Sequence, residues 1–442
     1  MLGVLVVVVL LAPRRVALLG MLAGALYLSQ EGSVVIVGLN VYGLRFLEIA
    51  GFVRVMGRRE FPSSGLNRID GALLLLYGYT TVVFLLRSKD GQAYQIGRAV
   101  DACLCYFTFR GLLREVEQFR KFLRDFVILL APFVASVLME SVTAHNVFWS
   151  PGLAGNEFRA GRVRCQGSFQ FSGLLGTLGA TYLPMYLGLA FAKAERTLAA
   201  AGIALCLAIV WACNSGGPMC AMAFALAGWA FWPQRLKMQR VRRGMLAGVA
   251  LLALVMQAPI WYIPMKVSVF TGGDGYHRSY LMDVAYQHLG EWWLVGMPVS
   301  KTAQWFPYVL PDYGTADITN EFLGFGVVAG IPAVALLIVV LTRAFKGLGA
   351  ALVAVRSAPA ASMDTELMLW GLGVALLAHI ANWIGASYFD QIMLFFLLQL
   401  AAISTLANAC PSRAPLLIAH IVLPHDGESE SENLGLGGVV AP

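Results

Sequence analysis

Apolar stretches of about twenty residues, each closed by a small cluster of charge, recur along this chain from end to end. No other feature constrains its fold as strongly. A helix advances ~1.5 Å per residue, so crossing ~30 Å of hydrocarbon takes roughly 20 apolar residues. The runs lie at 2–12, 16–30, 33–56, 68–87, 97–115, 122–141, 172–192, 197–213, 217–232, 244–262, 322–344, 367–386 and 391–408. The first is short for a full crossing, so about twelve spans are expected, give or take one. The fold class this implies is all-α, a polytopic transmembrane helical bundle. Composition agrees: the chain is 58% hydrophobic and 13% charged, about half the charged fraction of a soluble domain.

Lys and Arg set the orientation. Arg14 and Arg15; Arg54, Arg58, Arg59 and Arg68; Arg114, Arg120, Lys121 and Arg124; and Lys193 and Arg196 fall in alternate connections. So do Arg235, Lys237, Arg240, Arg242 and Arg243, and then Arg343, Lys346 and Arg356. These connections are expected on the cytoplasmic side. The net charge of +7 is therefore mostly a topology signal, and no nucleic-acid partner is expected. Residues 1–12 lack a basic start and run into the next apolar stretch, so no cleavable leader is expected. Five of the seven cysteines, Cys103, Cys105, Cys206, Cys213 and Cys220, lie in or beside apolar runs. They read as packing residues, not as a disulfide framework.

The domain reading is one transmembrane unit over 1–408 and an acidic, Gly-rich tail over 409–442 that is expected to be disordered. Two connections on the outer side, 142–171 and 263–321, are long, and long connections are usually functional. Within the second, "TGGDGYHRSYLMDVAYQHLGEWWLVGMP" spans 271–298. Leu281, Val284, Ala285 and Leu289 recur at helical spacing after a Gly-rich turn. The pattern predicts a short amphipathic helix with Asp274 as its cap and Arg278 in its first turn. Trp292 and Trp293 then suit a membrane–water interface.

There is no G-x-x-x-x-G-K-[ST], no G-x-G-x-x-G and no His or Cys spacing suited to zinc. The chemistry is expected to need neither metal nor cofactor. Three polar clusters remain. "RAGRVRCQGSFQFSG" places Arg159, Arg162 and Arg164 on a side where basic residues are disfavoured, and the rigid fork of Arg matches phosphate oxygens. His277 and Arg278 stand at a helix N-terminus, which favours anions. "PDYGTADITNEFLGFG" holds Asp312, Asp317, Asn320 and Glu321 where the chain re-enters the membrane. There Asp317 or Thr319 can cap the next span. Asp317 and Glu321 are i, i+4 neighbours if that turn is helical, and either is a base able to take a proton from a hydroxyl. His277 and His288 are further proton-transfer candidates. Trp149, Trp292, Trp293 and Trp305 are candidates for stacking on sugar rings.

Around these clusters, "RCQGSFQFSGLLGTLGATYLP", "CNSGGPMCAM", "YHRSYLMDVAYQHLGEWWLVGMP" and "DITNEFLGFGVVAGIPAVALLIVVL" occur in order. Together they resemble the O-antigen ligase and O-antigen polymerase superfamily of bacterial inner-membrane proteins, over residues 100 to 408 or so. The resemblance implies a glycosyltransferase like those of the C type that use lipid carriers. Such enzymes act at the periplasmic face, without a metal and with inversion. The donor would be an undecaprenyl-diphosphate-linked glycan, and the acceptor lipid A core or another polysaccharide unit. The family's diphosphate-binding arginines fall on Arg164 and Arg278. Many ligases carry His just before the Asn of the last motif. Here that place is Thr319, which leaves the base among Asp317, Glu321, His277 and His288, and leaves ligase against polymerase open.

A transporter or flippase of lipid-linked sugars is the competing expectation. It needs ionisable groups buried mid-span, for which Glu48, Arg45, Asp101, Arg110 and His379 are the candidates. No internal repeat supports it.

Overall fold

In the computed structural model, residues 1–29, 33–36, 39–63, 65–89, 91–150, 157–192, 195–271, 275–306, 316–358 and 362–409 are described. Each apolar run nucleates a helix. The order is α1 (Leu2–Leu11), α2 (Arg14–Tyr27), α3 (Gly43–Gly57), α4 (Arg68–Arg87), α5 (Gln92–Leu112) and α6 (Val116–Thr143). Next come α7 (Ser172–Ala190), α8 (Arg196–Cys213), α9 (Gly216–Ala230), α10 (Met238–Val255) and α11 (Ile263–Thr271). Then follow α12 (Gly275–Gln287), α13 (Leu289–Trp292), α14 (Glu321–Ser357), α15 (Met363–Trp383) and α16 (Asp390–Ala409). The sheet content among these residues is two small hairpins, β1–β2 (Ser33–Ile36, Leu39–Tyr42) and β3–β4 (Phe158–Arg159, Arg162–Val163).

The chain is an all-α, multi-pass membrane protein. Five described helices are long and apolar enough to span: Arg68–Arg87, Glu117–Thr143, Arg196–Cys213, Glu321–Ser357 and Met363–Trp383. A sixth requires Trp232–Val255 and Ile260–Ser268, bent 93° from each other, to count as one. Two runs break for visible reasons. Residues 33–56 open with β-branched Val34, Val35 and Ile36, which favour strand over helix; the hairpin there leaves α3 only 15 residues. Residues 244–262 stop at Val255, ahead of Pro259, whose ring cannot continue a helix. Helix α10 contributes no residue to the core.

Helix α7 is the centre of the bundle, buried along nearly its whole length, and packs on α8, α9 and α15. Small residues let the backbones meet, as is usual between membrane helices. A β-carbon at Gly188 would stand 2.8 Å from Leu367 O, and one at Gly371 would stand 2.7 Å from Pro184 O. Ends are closed by side chains: Asn67 accepts from Ile69 and Asp70 N–H while Asp70 accepts from Asn67 N–H, a capping box that starts α4. Asp70 is also locked into a wholly buried pair with Arg110 and takes the Tyr106 and Ser404 hydroxyls.

Residues 275–306 and 316–320 form a cap with its own small core. Leu281, Val284 and Ala285 of α12 pack there with Trp292, Met297, Trp305 and Phe306. The cap sits at the end of the bundle where α14 begins. The Asp274 cap and Asp312 lie outside the described residues, as does the tail beyond Ala409.

Candidate functional site

Three separate segments meet at one corner of the cap: the start of α12, the irregular stretch 316–320, and the turn 384–389 between α15 and α16. Asn320 welds them. Its side-chain oxygen caps α14 by accepting from Leu323 N–H at 2.9 Å, while its amide donates to Ile384 O at 3.2 Å. Ser387 donates to Ile318 O at 2.6 Å, and His277 Nε2 donates to Asp317 O at 3.3 Å. The sequence expectation that Asp317 or Thr319 caps the span is thus corrected to Asn320. Because 316–320 is not helical, and Thr319 N–H turns back to Asp317 O at 3.0 Å, Asp317 and Glu321 are not helical neighbours either.

Arg278 is half-buried, and its guanidinium lies along Gly385. A β-carbon on Gly385 would stand 3.0 Å from Arg278 Nε and 3.1 Å from its Cδ. Asp317 presents an exposed side chain on the same segment that His277 grips. Glu321 differs. It is 1% exposed; one oxygen accepts from Arg98 at 2.7 Å and the other from Tyr388 N–H at 2.7 Å. The Arg98 guanidinium also lies 4.8 Å from the centre of the Phe325 ring. Glu321 is therefore a fixed counter-ion with both oxygens occupied, which is a poor state for a proton acceptor.

Further along the cap, His288 Nδ1 donates to Glu291 at 2.6 Å and its ring stacks on Trp305, centroids 5.3 Å apart. The His288 hydrogen bond holds the Glu291 carboxyl below its ordinary range. This unit is structural. Trp305 is 5% exposed, so the expectation that it offers a face to a sugar ring is corrected: that face is covered. Trp292 is corrected likewise. Its Nε1 donates to Ala285 O at 2.9 Å and its ring presses on Gly326, inside the cap.

The second arginine cluster belongs to the same end of the bundle. Ala160 (φ 49°) and Gly161 (φ 74°) turn β3 into β4, both at positive φ as a two-residue type I′ hairpin demands. Arg159 and Arg162 consequently stand opposite each other, a like-charge pairing that is unfavourable without an anion. Arg162 lies over the Trp211 ring at 4.2 Å and donates to Trp211 O. Arg164 pairs with Glu157, and its Nε is buried with no hydrogen-bond partner among the described residues. Glu140 of α6 anchors the loop by accepting from Gln166 and Gly167 N–H at 3.0 and 2.9 Å. Trp149 donates to Gly167 O at 2.9 Å.

The α8–α9 corner links the two clusters. Asn214 donates to Arg159 O on one side, and a β-carbon on Gly217 would lie 3.0 Å from Asn382 Oδ1, three residues before Gly385, on the other. Burial pushes the Cys165 thiol up to about 12, which removes it as a nucleophile. No group of three or more metal-ligating side chains occurs among the described residues. Arg98, Glu140, Gly385 and Tyr388 were not singled out in the sequence. Arg98 alone had a legible signal, as a basic residue inside an apolar run.

The chain matches no protein-family model and no curated protein.

Proposed function

We propose that this protein transfers a glycan from an undecaprenyl-diphosphate carrier to a sugar hydroxyl at the periplasmic face of a bacterial inner membrane, as an O-antigen ligase or polymerase does. The observation that carries the reading is the corner where Arg278, laid on Gly385, shares a hydrogen-bonded frame with the exposed carboxylate of Asp317. A guanidinium and a carboxylate carried by segments that meet at one corner suit a reaction that needs anion stabilisation and proton removal together.

In this scheme Arg278 binds the diphosphate and stabilises the charge that grows as the glycosyl bond breaks. The opposed pair Arg159 and Arg162, with Arg164, supplies the second anion-binding patch. Asp317 takes the acceptor proton as the hydroxyl attacks the anomeric carbon from the opposite face. The new glycosyl bond forms, the old one breaks, and undecaprenyl diphosphate leaves with the bonding pair. His277 and Asn320 hold the 316–320 segment in place. Glu321 is assigned no proton transfer, because Arg98 and Tyr388 occupy it.

Transport of lipid-linked sugars draws less support. Of the mid-span ionisable groups it would use, Arg110 is closed against Asp70 and Arg45 against Asp101, while buried Glu48 alone keeps an oxygen, Oε2, without a hydrogen-bond partner among the described residues. His379 is bonded to Tyr388 and Gln399. The deciding experiment is transfer of lipid-linked glycan in membranes containing Arg278→Ala. Expression at the wild-type level with transfer lost supports the reading; unchanged transfer overturns it.

A further inference from the structure

Helix α14 is apolar from Phe322 to Thr342 and ends that run at Arg343. Ile331 and Ile338 mark its exposed stripe, at 45% and 50%. The helix is broken at Ala329 (φ −148°) and Gly330 (φ 82°, ψ 178°). A break at membrane depth normally strands backbone groups that no water can satisfy. Here the segment after α13 occupies the break. Met297 N–H donates to Val327 O, and Ile331 N–H donates to Trp293 O, each at 2.7 Å. The two backbones touch because both contact points are glycine. A β-carbon at Gly330 would lie 2.2 Å from Leu294 O, and one at Gly296 (φ 70°) would lie 2.4 Å from Val327 O.

The tip of this segment is Trp293, Leu294 and Val295, which are 50%, 51% and 43% exposed. Three consecutive large apolar side chains pointing out of a polar cap are unfavourable in water. They lie instead beside Ile331, at the top of the exposed stripe of α14. Depth follows from the helix. Arg343 is tied to the start of α4, donating to Arg68 O at 3.1 Å, which fixes it at the basic end. Ile331 lies twelve residues above it, or ~18 Å, against ~30 Å of hydrocarbon. The tip therefore sits ~12 Å below the opposite boundary, and any helix tilt takes it deeper.

We infer that residues 293–295 form a wedge from the cap that inserts into the leaflet on the cap side and contacts lipid acyl chains. The polar connection read from sequence re-enters the bilayer, and its backbone is satisfied by the break in α14. The wedge ties the cap to the membrane at a fixed height. This surface does not depend on the glycosyl-transfer reading.

The test uses the full chain with its native cysteines replaced, in phosphatidylcholine–phosphatidylglycerol vesicles. Leu294→Cys and, on exposed polar ground at the end of α12, Gln287→Cys each carry an environment-sensitive nitrobenzoxadiazole label. The label at 294 is expected to emit at shorter wavelength and to lose fluorescence to acyl-chain doxyl lipids. The label at 287 is expected to lose it to aqueous iodide. Val295→Cys repeats the reading from a second tip position, so a local disturbance at 294 does not decide it. Iodide quenching of both tip labels, without doxyl quenching, overturns the inference.

Discussion

Arg98 donates to Glu321 across 2.7 Å, joining α5 to the first residue of α14. The Glu321 side chain is 2% exposed and that of Arg98 18%. Removing one member of a buried pair strands the other and costs about 3–5 kcal/mol, here toward the lower end because Arg98 keeps some water. Arg98→Met and Glu321→Gln are each expected to lower the melting temperature in detergent. Combining Arg98→Met with Glu321→Gln is expected to cost less than the two single changes added. A double variant whose loss equals or exceeds that sum shows that the two side chains are not coupled.

Gly385 offers a way to move Arg278 without replacing it. A β-carbon there meets the Arg278 side chain at 3.0–3.4 Å. A flexible guanidinium yields to one methyl, so Gly385→Ala is expected to retain most activity. Gly385→Val is expected to lower kcat/KM for the lipid-linked donor about tenfold, equivalent to ~1.4 kcal/mol. Transfer kinetics at wild-type expression check it. A Gly385→Val protein as active as wild type removes Gly385 as the residue that positions Arg278.

Most helices were legible because their cause is local: an apolar run closed by charge reads the same in sequence and in space. The cap helix was legible for the same reason, with Leu281, Val284 and Ala285 at 3.6-residue spacing and all buried. What was not legible depends on partners distant in sequence. The run 322–344 contains no sign that Trp293 will hydrogen-bond into it. Nor does "DITNE" reveal that Arg98, 223 residues earlier, occupies Glu321. The arginines drew attention as bare charges, yet Arg162 is laid on Trp211 and Arg164 on Glu157. Residues 33–56 satisfy hydropathy as one run, yet its first part folds as a hairpin, which the run itself does not announce.

The pair His288–Glu291 is expected to give the cap a modest acid-labile element, modest because Glu291 is half-exposed. The hydrogen bond from His288 lowers the folded-state value of Glu291, with Trp305 adding a second donor. A depressed carboxyl contributes stability that is present above its unfolded value of ~4.3 and is lost as pH falls through the folded value. The protection of the amides around Trp305, their exchange rate relative to the intrinsic rate at the same pH, is therefore expected to fall below about pH 4 in wild type. In His288→Phe that loss of protection should be weaker, because the variant lacks the bond. Identical pH profiles for the two proteins exclude the pair as the acid-labile element.

Gly330 is the position at which the fold tolerates least change. Its dihedrals, φ 82° and ψ 178°, lie in a region open only to glycine, where another residue costs about 1–3 kcal/mol. A methyl group would also strike Leu294 O and expel the segment that satisfies the break. Gly324, one turn into the same helix, has only Ser387 Oγ near its β-position, at 3.8 Å, and alanine there is favourable by up to ~1 kcal/mol. Gly330→Ala is expected to lower the melting temperature, while Gly324→Ala leaves it unchanged or raises it. If both substitutions are neutral, the packing of Trp293–Met297 into α14 does not hold the cap.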